Sequence, residues 1–178
     1  MEMRHLHALL KQRHSLGQLE PKGGKLAFVT VPRENLRGLL TELRDVHGFT
    51  HLVLLTAVDW MEDGLFQLTY MLNNRGRDMT LGIRVMLDRQ EAQGDSIHDL
   101  WPTAATYQRE LKEMFGIDFP GSPRIDEEFI LEGWTDLPPY RRDFDSLAYS
   151  QQTYAERPGR VTHDPREYMK SKLYPDGV

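Results

Sequence analysis

The chain has 178 residues, of which 39% are hydrophobic and 28% are charged, and its formal net charge at pH 7 is −5. This length is enough for one domain with its own core, and the acidic balance argues against a general binder of nucleic-acid phosphates, which needs a basic stripe. The sequence contains no cysteine, which excludes a disulfide framework, a cysteine-held iron–sulfur cluster and a thiol nucleophile.

The first part of the chain is predicted to form two helices and a strand. Apolar residues near one face predict a short helix within residues 1–14, and residues 25–31 are rich in strand formers. The next helix is predicted to begin at Pro32 and to end before Gly48, because proline suits a first helical turn and glycine suits the residues after a helix. Its apolar stripe consists of Leu36, Leu39, Leu40 and Leu43.

Three strands are predicted to follow as an antiparallel meander with one buried face. They comprise residues 52–60, 65–72 and 79–87, separated by turns at Asp63-Gly64 and at residues 73–76. The apolar stretch in the first strand is far shorter than the roughly 20 residues of a membrane span, and no stretch near residue 1 has the length of a signal peptide. We therefore expect no transmembrane helix.

A final helix is predicted to end at Gly116. Ser96 and Asp99 match a capping-box pattern and predict a helix start, with a break or reset at Pro102. Apolar side chains then recur at helical spacing at Ala104, Tyr107, Leu111 and Met114. The order of elements predicts an α+β fold over residues 1–116, with helices packed against a small, mostly antiparallel sheet.

Residues 117–178 are predicted to form an extended arm. They contain seven of the ten prolines, which disfavour long regular elements. They also contain nine of the seventeen aromatic residues, although disordered tails are poor in aromatics. We therefore expect an arm that lies along its own domain and then wraps partner subunits, with a flexible tail as the alternative.

The sequence carries no strong signal for a catalytic or metal site. The histidines, including His5, His7 and His14, lack the spacing of metal ligands, and no nucleophile elbow, P-loop or dinucleotide fingerprint occurs. Asp59 and Asp143 could act as a carboxylate pair if the fold brings them together. A small cytosolic acid–base enzyme that uses Asp59 and a histidine is therefore kept as one hypothesis.

Two segments contain the residue types that anchor protein interfaces. The segment "QRELKEMFGI", residues 108–117, has Arg109 and Glu113 at i, i+4 spacing, so a surface ion pair between them is the ordinary alternative to an interface role. The segment "PPYRRDF", residues 138–144, combines rigid prolines with arginines suited to bind carboxylates or buried carbonyls. Solvated arginines are the alternative for this second segment.

In these segments the sequence resembles the 30-kDa subunit family of respiratory complex I, the proton-translocating NADH–quinone oxidoreductase. The family's Glu-Arg-Glu-x-x-Asp-Met-Phe-Gly-Ile is matched by residues 108–117, and its Pro-Leu-Arg-Lys-Asp-Phe/Tyr by residues 139–144. Its Gly-His-Pro corresponds to "GSP" at residues 121–123. With "TAVDW", "YML" and "SIHDLWPTA" upstream, the resemblance spans residues 25–145 or so.

The resemblance implies a cofactor-free, non-catalytic subunit in the hydrophilic arm of a multi-subunit translocase. The expected partners are the large subunit that helps to form the quinone site and the small iron–sulfur subunit. Partner subunits are thus expected to carry the clusters and bind quinone. The resemblance further implies a peripheral position on the cytoplasmic face of the cell membrane, in a hetero-oligomer that binds no nucleic acid.

No catalytic, cofactor-binding or metal-binding residue is expected in this chain. The signature residues are instead expected at the junction of domain and arm or at a subunit interface. They are Arg109, Glu110, Glu113, Phe115, Gly116, Pro123, Arg124, Trp134, Pro139, Tyr140, Arg141, Arg142, Asp143 and Phe144.

Three departures from the family pattern leave the type of complex open. Gln108, Ser122 and Tyr140 stand where the family has an acidic residue, a histidine and a leucine. The alternatives are the homologous subunit of a membrane-bound, energy-converting nickel–iron hydrogenase, and a complex I relative that uses ferredoxin or another electron donor.

Overall fold

The strands form one sheet, and the helices around it contribute to a single core. The structure is a computed structural model that describes residues 2–155 and 165–173. Up to Gly116 the elements are α1 (Met3–Leu10), β1 (Glu20–Pro21), β2 (Leu26–Thr30), α2 (Arg33–Asp45), β3 (His51–Trp60), β4 (Leu65–Asn74), β5 (Met79–Asp88) and α3 (Ala104–Phe115), with a short 3₁₀ helix at Met61–Asp63.

The five strands are ordered β1-β2-β5-β4-β3. Strands β3, β4 and β5 form the expected antiparallel meander, in which Leu68 lies opposite Ala57 on one side and Val85 on the other. Strand β2 is parallel to β5, and the two-residue strand β1 was not predicted. The predicted α+β class with a mostly antiparallel sheet is confirmed.

Alternate residues of the meander point into the core, as the two-residue period of a strand requires. On β4 these are Phe66, Leu68, Tyr70 and Leu72, all fully buried. The leucine stripe of α2 joins the same core, as do apolar residues of α1 and α3. Burial of one such side chain contributes roughly 1.5–3 kcal/mol to stability.

The opposite face of the sheet is partly apolar and exposed. Leu54 and Trp60 on β3 are 40% and 42% exposed. Further across this face the Phe28 ring lies over Gly82, where a Cβ would come within 2.3 Å of the ring. The Arg84 guanidinium covers that ring at 4.3 Å from its centroid. The sequence pattern indicated the buried face but not the apolar content of this one.

The predicted helix start at Ser96 is wrong, because α3 begins only at Ala104. The Ser96 hydroxyl donates to Gln108 Oε1 at 2.9 Å, and the Asp99 carboxylate pairs with Arg37 on α2. Both side chains are thus used in tertiary contacts. Pro102 also disfavours helical backbone at the residue before it, so the helix starts after the proline.

The first compact unit comprises Met1–Phe144, so it extends beyond the predicted boundary at Gly116. Residues 117–144, which we call the strap, contain no helix or extended strand in the described structure. The strap contains family signature residues and packs on the body of the same unit through the contacts described below.

The second unit comprises Asp145–Val178, and its described residues form two helices that the sequence pattern did not predict, α4 (Ser146–Thr153) and α5 (Pro165–Leu173). Asp145 caps α4 by accepting the N–H groups of Leu147 and Ala148. Arm residues such as His163 and Tyr174 lie outside the described residues. Among the helices that the structure describes, none is long and apolar enough to cross a membrane.

Candidate functional site

The strap passes over the C-terminal end of α3. The helix stops where Gly116 adopts a left-handed conformation with φ of 75°, which glycine adopts without a steric penalty. A Cβ at this position would lie 3.0 Å from Arg141 Nη2 and 3.3 Å from Pro138 Cγ. The glycine therefore both ends the helix and lets the strap approach its backbone.

An ion cluster centred on Arg89 joins the strap to the sheet. Arg89 follows β5, and its Nε and Nη2 donate to the two carboxylate oxygens of Asp59 on β3 at 2.8 and 3.1 Å. The same Nη2 donates to Asp143 Oδ1 at 2.7 Å, and the backbone N–H of Arg142 donates to Asp59 Oδ2 at 2.9 Å. The Asp59 side chain is only 1% exposed, so the strap completes the hydrogen bonding of a buried carboxylate.

The two aspartates considered as an acid–base pair are thus brought together, but Arg89 lies between them. Burial alone would raise the pKa of Asp59. The hydrogen bonds from Arg89 and from the Arg142 N–H outweigh burial and hold that pKa below its usual range. The hydrogen bond to Asp59 in turn raises the pKa of Arg89. A general acid or base near neutral pH needs the opposite shift in a carboxyl group, so this geometry fits a structural ion cluster.

Arg141 makes a second contact between strap and body. Its Nε donates at 2.7 Å to the carbonyl of Phe115, in the last turn of α3, where carbonyls lack helical partners. Its guanidinium lies 5.3 Å from the centroid of the Phe66 ring. Tyr140 packs edge-to-face on Phe115 at 5.6 Å and donates its N–H to the Met114 carbonyl at 2.9 Å. The strap therefore caps the helix with both side chains and backbone.

Glu113, on α3, organises the middle of the strap. Its Oε2 accepts the N–H of Phe129 at 2.5 Å, and its Oε1 accepts those of Ile130 and Leu131 at 2.8 and 3.1 Å. One carboxylate thus binds three consecutive backbone donors. Hydrogen bonds to a charged acceptor contribute more than neutral ones, so this contact fixes the local path of the chain.

The ion pair that the spacing of Arg109 and Glu113 allows is not formed, because the Glu113 carboxylate is occupied by these N–H groups. Arg109 instead lies 3.6 Å from a carboxylate oxygen of Glu127 and stacks 5.4 Å from the centroid of the Phe129 ring. Its Nε is buried without a hydrogen-bond partner among the described residues. Arg109 therefore contacts the strap rather than the next turn of its own helix.

Trp134 and Phe144 hold the two ends of the strap's second half together. Their rings pack edge-to-face with centroids 5.6 Å apart. The indole N–H of Trp134 donates to the carbonyls of Asp136 and Leu137 at 3.0 and 3.2 Å. This contact lies within the strap and stabilises its fold on the body.

The remaining signature residues are more exposed. Glu110 is half-buried on α3 and has no ion-pair partner among the residues that the structure describes. Pro123 and Arg124 are exposed and Pro139 is half-buried. The Arg142 side chain forms a surface ion pair with Glu62.

Sequence reasoning missed Arg89, the centre of the ion cluster. A usable signal was present in the meander itself. Antiparallel pairing places the end of β3 beside the start of β4, which pairs in turn with the end of β5. Asp59 and Arg89 therefore had to lie at the same edge of the sheet, with opposite charges.

Two of the three departures from the family pattern are buried. Gln108 and Ser122 are both buried, and within the described part of the chain Gln108 Nε2 and Ser122 Oγ have no hydrogen-bond partner. Tyr140 is exposed. Among the described residues, no group of three or more His, Asp or Glu side chains is arranged to hold a metal ion.

Comparison with known proteins gives consistent matches. A family model described as "Respiratory-chain NADH dehydrogenase, 30 Kd subunit" matches residues 29–150. A subunit of the NADH-quinone oxidoreductase of Moorella thermoacetica is 33% identical over 123 residues, which cover 69% of this chain and 82% of that protein.

Two solved structures share the fold. A chain of the membrane-bound sulfane sulfur reductase, an archaeal respiratory membrane complex, matches with a TM-score of 0.75 and 25% identity over 91% of this chain and 95% of that one. A trypsin-resistant fragment of Nqo5 matches with a TM-score of 0.58 and 23% identity over 67% of this chain and 96% of the fragment. With the family model matching well over half of its residues, the chain belongs to the 30-kDa subunit family of respiratory-chain NADH dehydrogenases.

Proposed function

We propose that this chain is a non-catalytic assembly subunit of a complex I-type, proton-translocating NADH–quinone oxidoreductase. The observation that carries the proposal is the use of the family signature residues. Arg141, Asp143 and the Arg142 N–H, together with Glu113, fix the strap to the body. These residues hold the strap in a fixed position on the body, and this structural role is what we expect of a scaffold subunit.

The proposed partners are the large subunit that helps to form the quinone site and the small iron–sulfur subunit. In this proposal residues 145–178 continue the arm onto the large subunit, and Glu110 on α3 pairs with a basic residue across the interface. The partners supply the clusters and the quinone site. The chain is then held peripherally at the cytoplasmic face of the membrane, because it belongs to a membrane complex.

A second candidate is the equivalent subunit of a related membrane complex with a different electron donor or acceptor. The similarity to the chain of the sulfane sulfur reductase complex favours it, since that match covers nearly the whole of both chains. A membrane-bound nickel–iron hydrogenase belongs to the same group of alternatives. In each of them the chain keeps the scaffold role, and the other subunits determine the chemistry.

The test is affinity purification of the tagged chain from its native membranes in a gentle detergent, followed by native mass spectrometry. We expect the large and small subunits in equal amounts with the chain, together with the subunits that oxidise NADH. Subunits for another donor, or a nickel-binding large subunit, would select the second candidate. A chain that is recovered alone would overturn both.

Limited proteolysis separates the scaffold role from incidental co-purification. In the isolated chain we expect cleavage after Phe144, where the first compact unit ends. In the purified complex the same sites should be protected, since a partner covers them. Equal cleavage in both states would contradict the wrapping arm.

A further inference from the structure

The middle of the strap is a strongly acidic loop. Residues 126–136 read "DEEFILEGWTD" and contain five carboxylates without a lysine or arginine. Three apolar residues, Phe129, Ile130 and Leu131, lie at the centre of this loop. The structure gives these three side chains different environments.

The loop is held in one shape by carboxylates. Glu113 accepts the three consecutive N–H groups of Phe129, Ile130 and Leu131. Glu128 Oε1 accepts the N–H of Gly133 at 2.8 Å and closes the other side of the turn. A loop held in this way loses little conformational freedom when it binds, which favours affinity.

This shape separates the three apolar side chains. Phe129 is half-buried under the Arg109 guanidinium, and Leu131 is half-buried against the core. Ile130, between them, is 65% exposed. Because its own N–H is bound to Glu113 at 2.8 Å, the backbone cannot rotate to bury this side chain without breaking a charged hydrogen bond. Ile130 is thus presented to solvent by a rigid support.

The charges around Ile130 are unevenly neutralised. Asp126 is paired with Lys112 of the body at 2.5 Å, and Glu127 with Arg109 of the body at 3.6 Å and with Arg124 of the strap at 3.7 Å. Glu132 and Asp136 are exposed and have no ion-pair partner in the part of the chain that the structure describes. The loop therefore carries unneutralised negative charge, with Glu132 only two residues from the exposed Ile130 in the sequence.

We propose that Ile130 is an anchor that inserts into an apolar pocket of a partner protein, and that lysine or arginine residues rim this pocket. An apolar centre with a charged rim is the usual composition of a protein interface, and opposite charges set its orientation and association rate. An anionic lipid surface is disfavoured as the occupant by the negative charge of the loop. The inference rests on the proposed function, because it names the part of the strap that a neighbouring subunit grips.

The test measures reassembly with membranes from a strain that lacks this chain, titrated with purified, labelled chain. Ile130→Asp should raise the concentration for half-saturation roughly ten- to hundredfold, because the burial of one isoleucine is lost. Val46→Asp is the matched control, since Val46 is a β-branched residue that is 66% exposed at the end of α2. It should bind within about twofold of the wild type. Far-UV circular dichroism of both variants should match the wild type, as both positions are exposed.

The charged rim is tested by Glu132→Lys, with Glu91→Lys as an exposed control outside the loop. We expect Glu132→Lys, but not Glu91→Lys, to bind several-fold more weakly than the wild type. The affinity of Glu132→Lys should also depend less on salt concentration than that of the wild type. If Ile130→Asp binds like Val46→Asp, the anchor is refuted. If Glu132→Lys binds as well as the wild type or better, the basic pocket is refuted.

These outcomes are distinct from a failure of the proposed function. If the wild-type chain does not bind the depleted membranes saturably, the scaffold role itself is wrong. If the wild type binds saturably and the two loop variants bind like their controls, only the assignment of Ile130 fails.

Discussion

In the body, residues 2–116, apolar side chains repeat with the period of each strand or helix, whereas the strap, residues 117–144, follows no such period. The body buries complete faces, such as the row from Phe66 to Leu72 on β4. The strap enters the core with Ile117 and Phe119, which are fully buried. The rest of the strap is held mainly by side chains and backbone N–H groups that meet charged or carbonyl partners on the body, as at Asp59 and Glu113.

The difference shows how a segment without its own core becomes ordered. Apolar burial is non-directional and tolerates small shifts, so it determines that the body folds but not where a strap lies on it. Charge-assisted hydrogen bonds need defined geometry. Beyond Phe119 they fix the path of the strap, and each of them leaves a costly buried group if its partner is removed.

The largest effect is expected for Arg89→Ala. Among the described residues, the change leaves the buried Asp59 carboxylate with the Arg142 N–H at 2.9 Å as its remaining hydrogen-bond donor, and a stranded buried charge typically costs about 3–5 kcal/mol. Urea unfolding of the isolated chain measures the loss. Arg124→Ala is the control, because Arg124 is an exposed strap arginine and should change stability by less than about 0.5 kcal/mol.

The same cluster allows a sharper comparison. The double variant Asp59→Leu/Arg89→Met removes both charges, and replacement of a buried ion pair by apolar residues is often close to neutral. We expect it to be more stable than Arg89→Ala. An equal loss in the two variants would contradict the view that the stranded Asp59 charge is what destabilises Arg89→Ala.

A smaller and more local effect is expected for Glu113→Gln. An amide has one acceptor oxygen and no charge, so it cannot hold three consecutive N–H groups, and hydrogen bonds to a charged group contribute about 1.5–3 kcal/mol. Amide hydrogen exchange should rise at Phe129, Ile130 and Leu131 and stay unchanged in β4. Glu110→Gln is the control on the same helix. Uniform exchange changes across the body would contradict a local role.

The body could be predicted from the sequence because its information is local and periodic. Alternation from Met79 to Leu87 and the leucine stripe of α2 indicated strands and a helix before any contact was known. The helix start at Ser96 was the exception. A capping pattern uses only neighbouring residues. Ser96 and Asp99 instead contact residues far away in the sequence, Gln108 and Arg37, and these contacts could not be read from the local pattern.

The strap could be predicted only as a segment that needs external partners. Its residue types indicated anchoring, but they do not specify which carboxylate binds which donor. The Glu113 contact with Phe129 joins residues sixteen positions apart, and the Asp59 contact with Arg142 joins residues eighty-three positions apart. Contacts over such separations follow no helical or strand period, and the i, i+4 spacing on α3 likewise did not indicate that Arg109 contacts Glu127.

The pH dependence of stability follows from the depressed pKa of Asp59. In the unfolded chain an aspartate has its ordinary pKa of about 3.9. The folded chain therefore binds this proton less readily than the unfolded chain does. The contribution of Asp59 to the free energy of unfolding is therefore complete above the unfolded pKa and is lost as the pH falls through the lower folded value. The stability gap between the wild type and Asp59→Asn should be constant from about pH 7 to about pH 5 and then narrow toward about pH 3. If this stability gap widened below about pH 5, the pKa of Asp59 would have to be raised in the folded chain rather than lowered.

The smallest effect is expected for Arg142→Ala. Its side chain pairs with Glu62 at the surface, where both groups are about half exposed, and such pairs contribute at most about 1 kcal/mol. The N–H that binds Asp59 belongs to the backbone and is retained in the alanine variant. Arg142→Pro removes that N–H, so it should destabilise the chain more than Arg142→Ala does. The expected difference is roughly the 1.5–3 kcal/mol of one hydrogen bond to a charged group, together with any backbone strain. Urea unfolding at low and high salt measures both variants, and only the small alanine effect should disappear in high salt. If Arg142→Ala and Arg142→Pro lost equal stability, the side chain of Arg142 would be what matters. That result would contradict the view that the strap is held here by its backbone N–H.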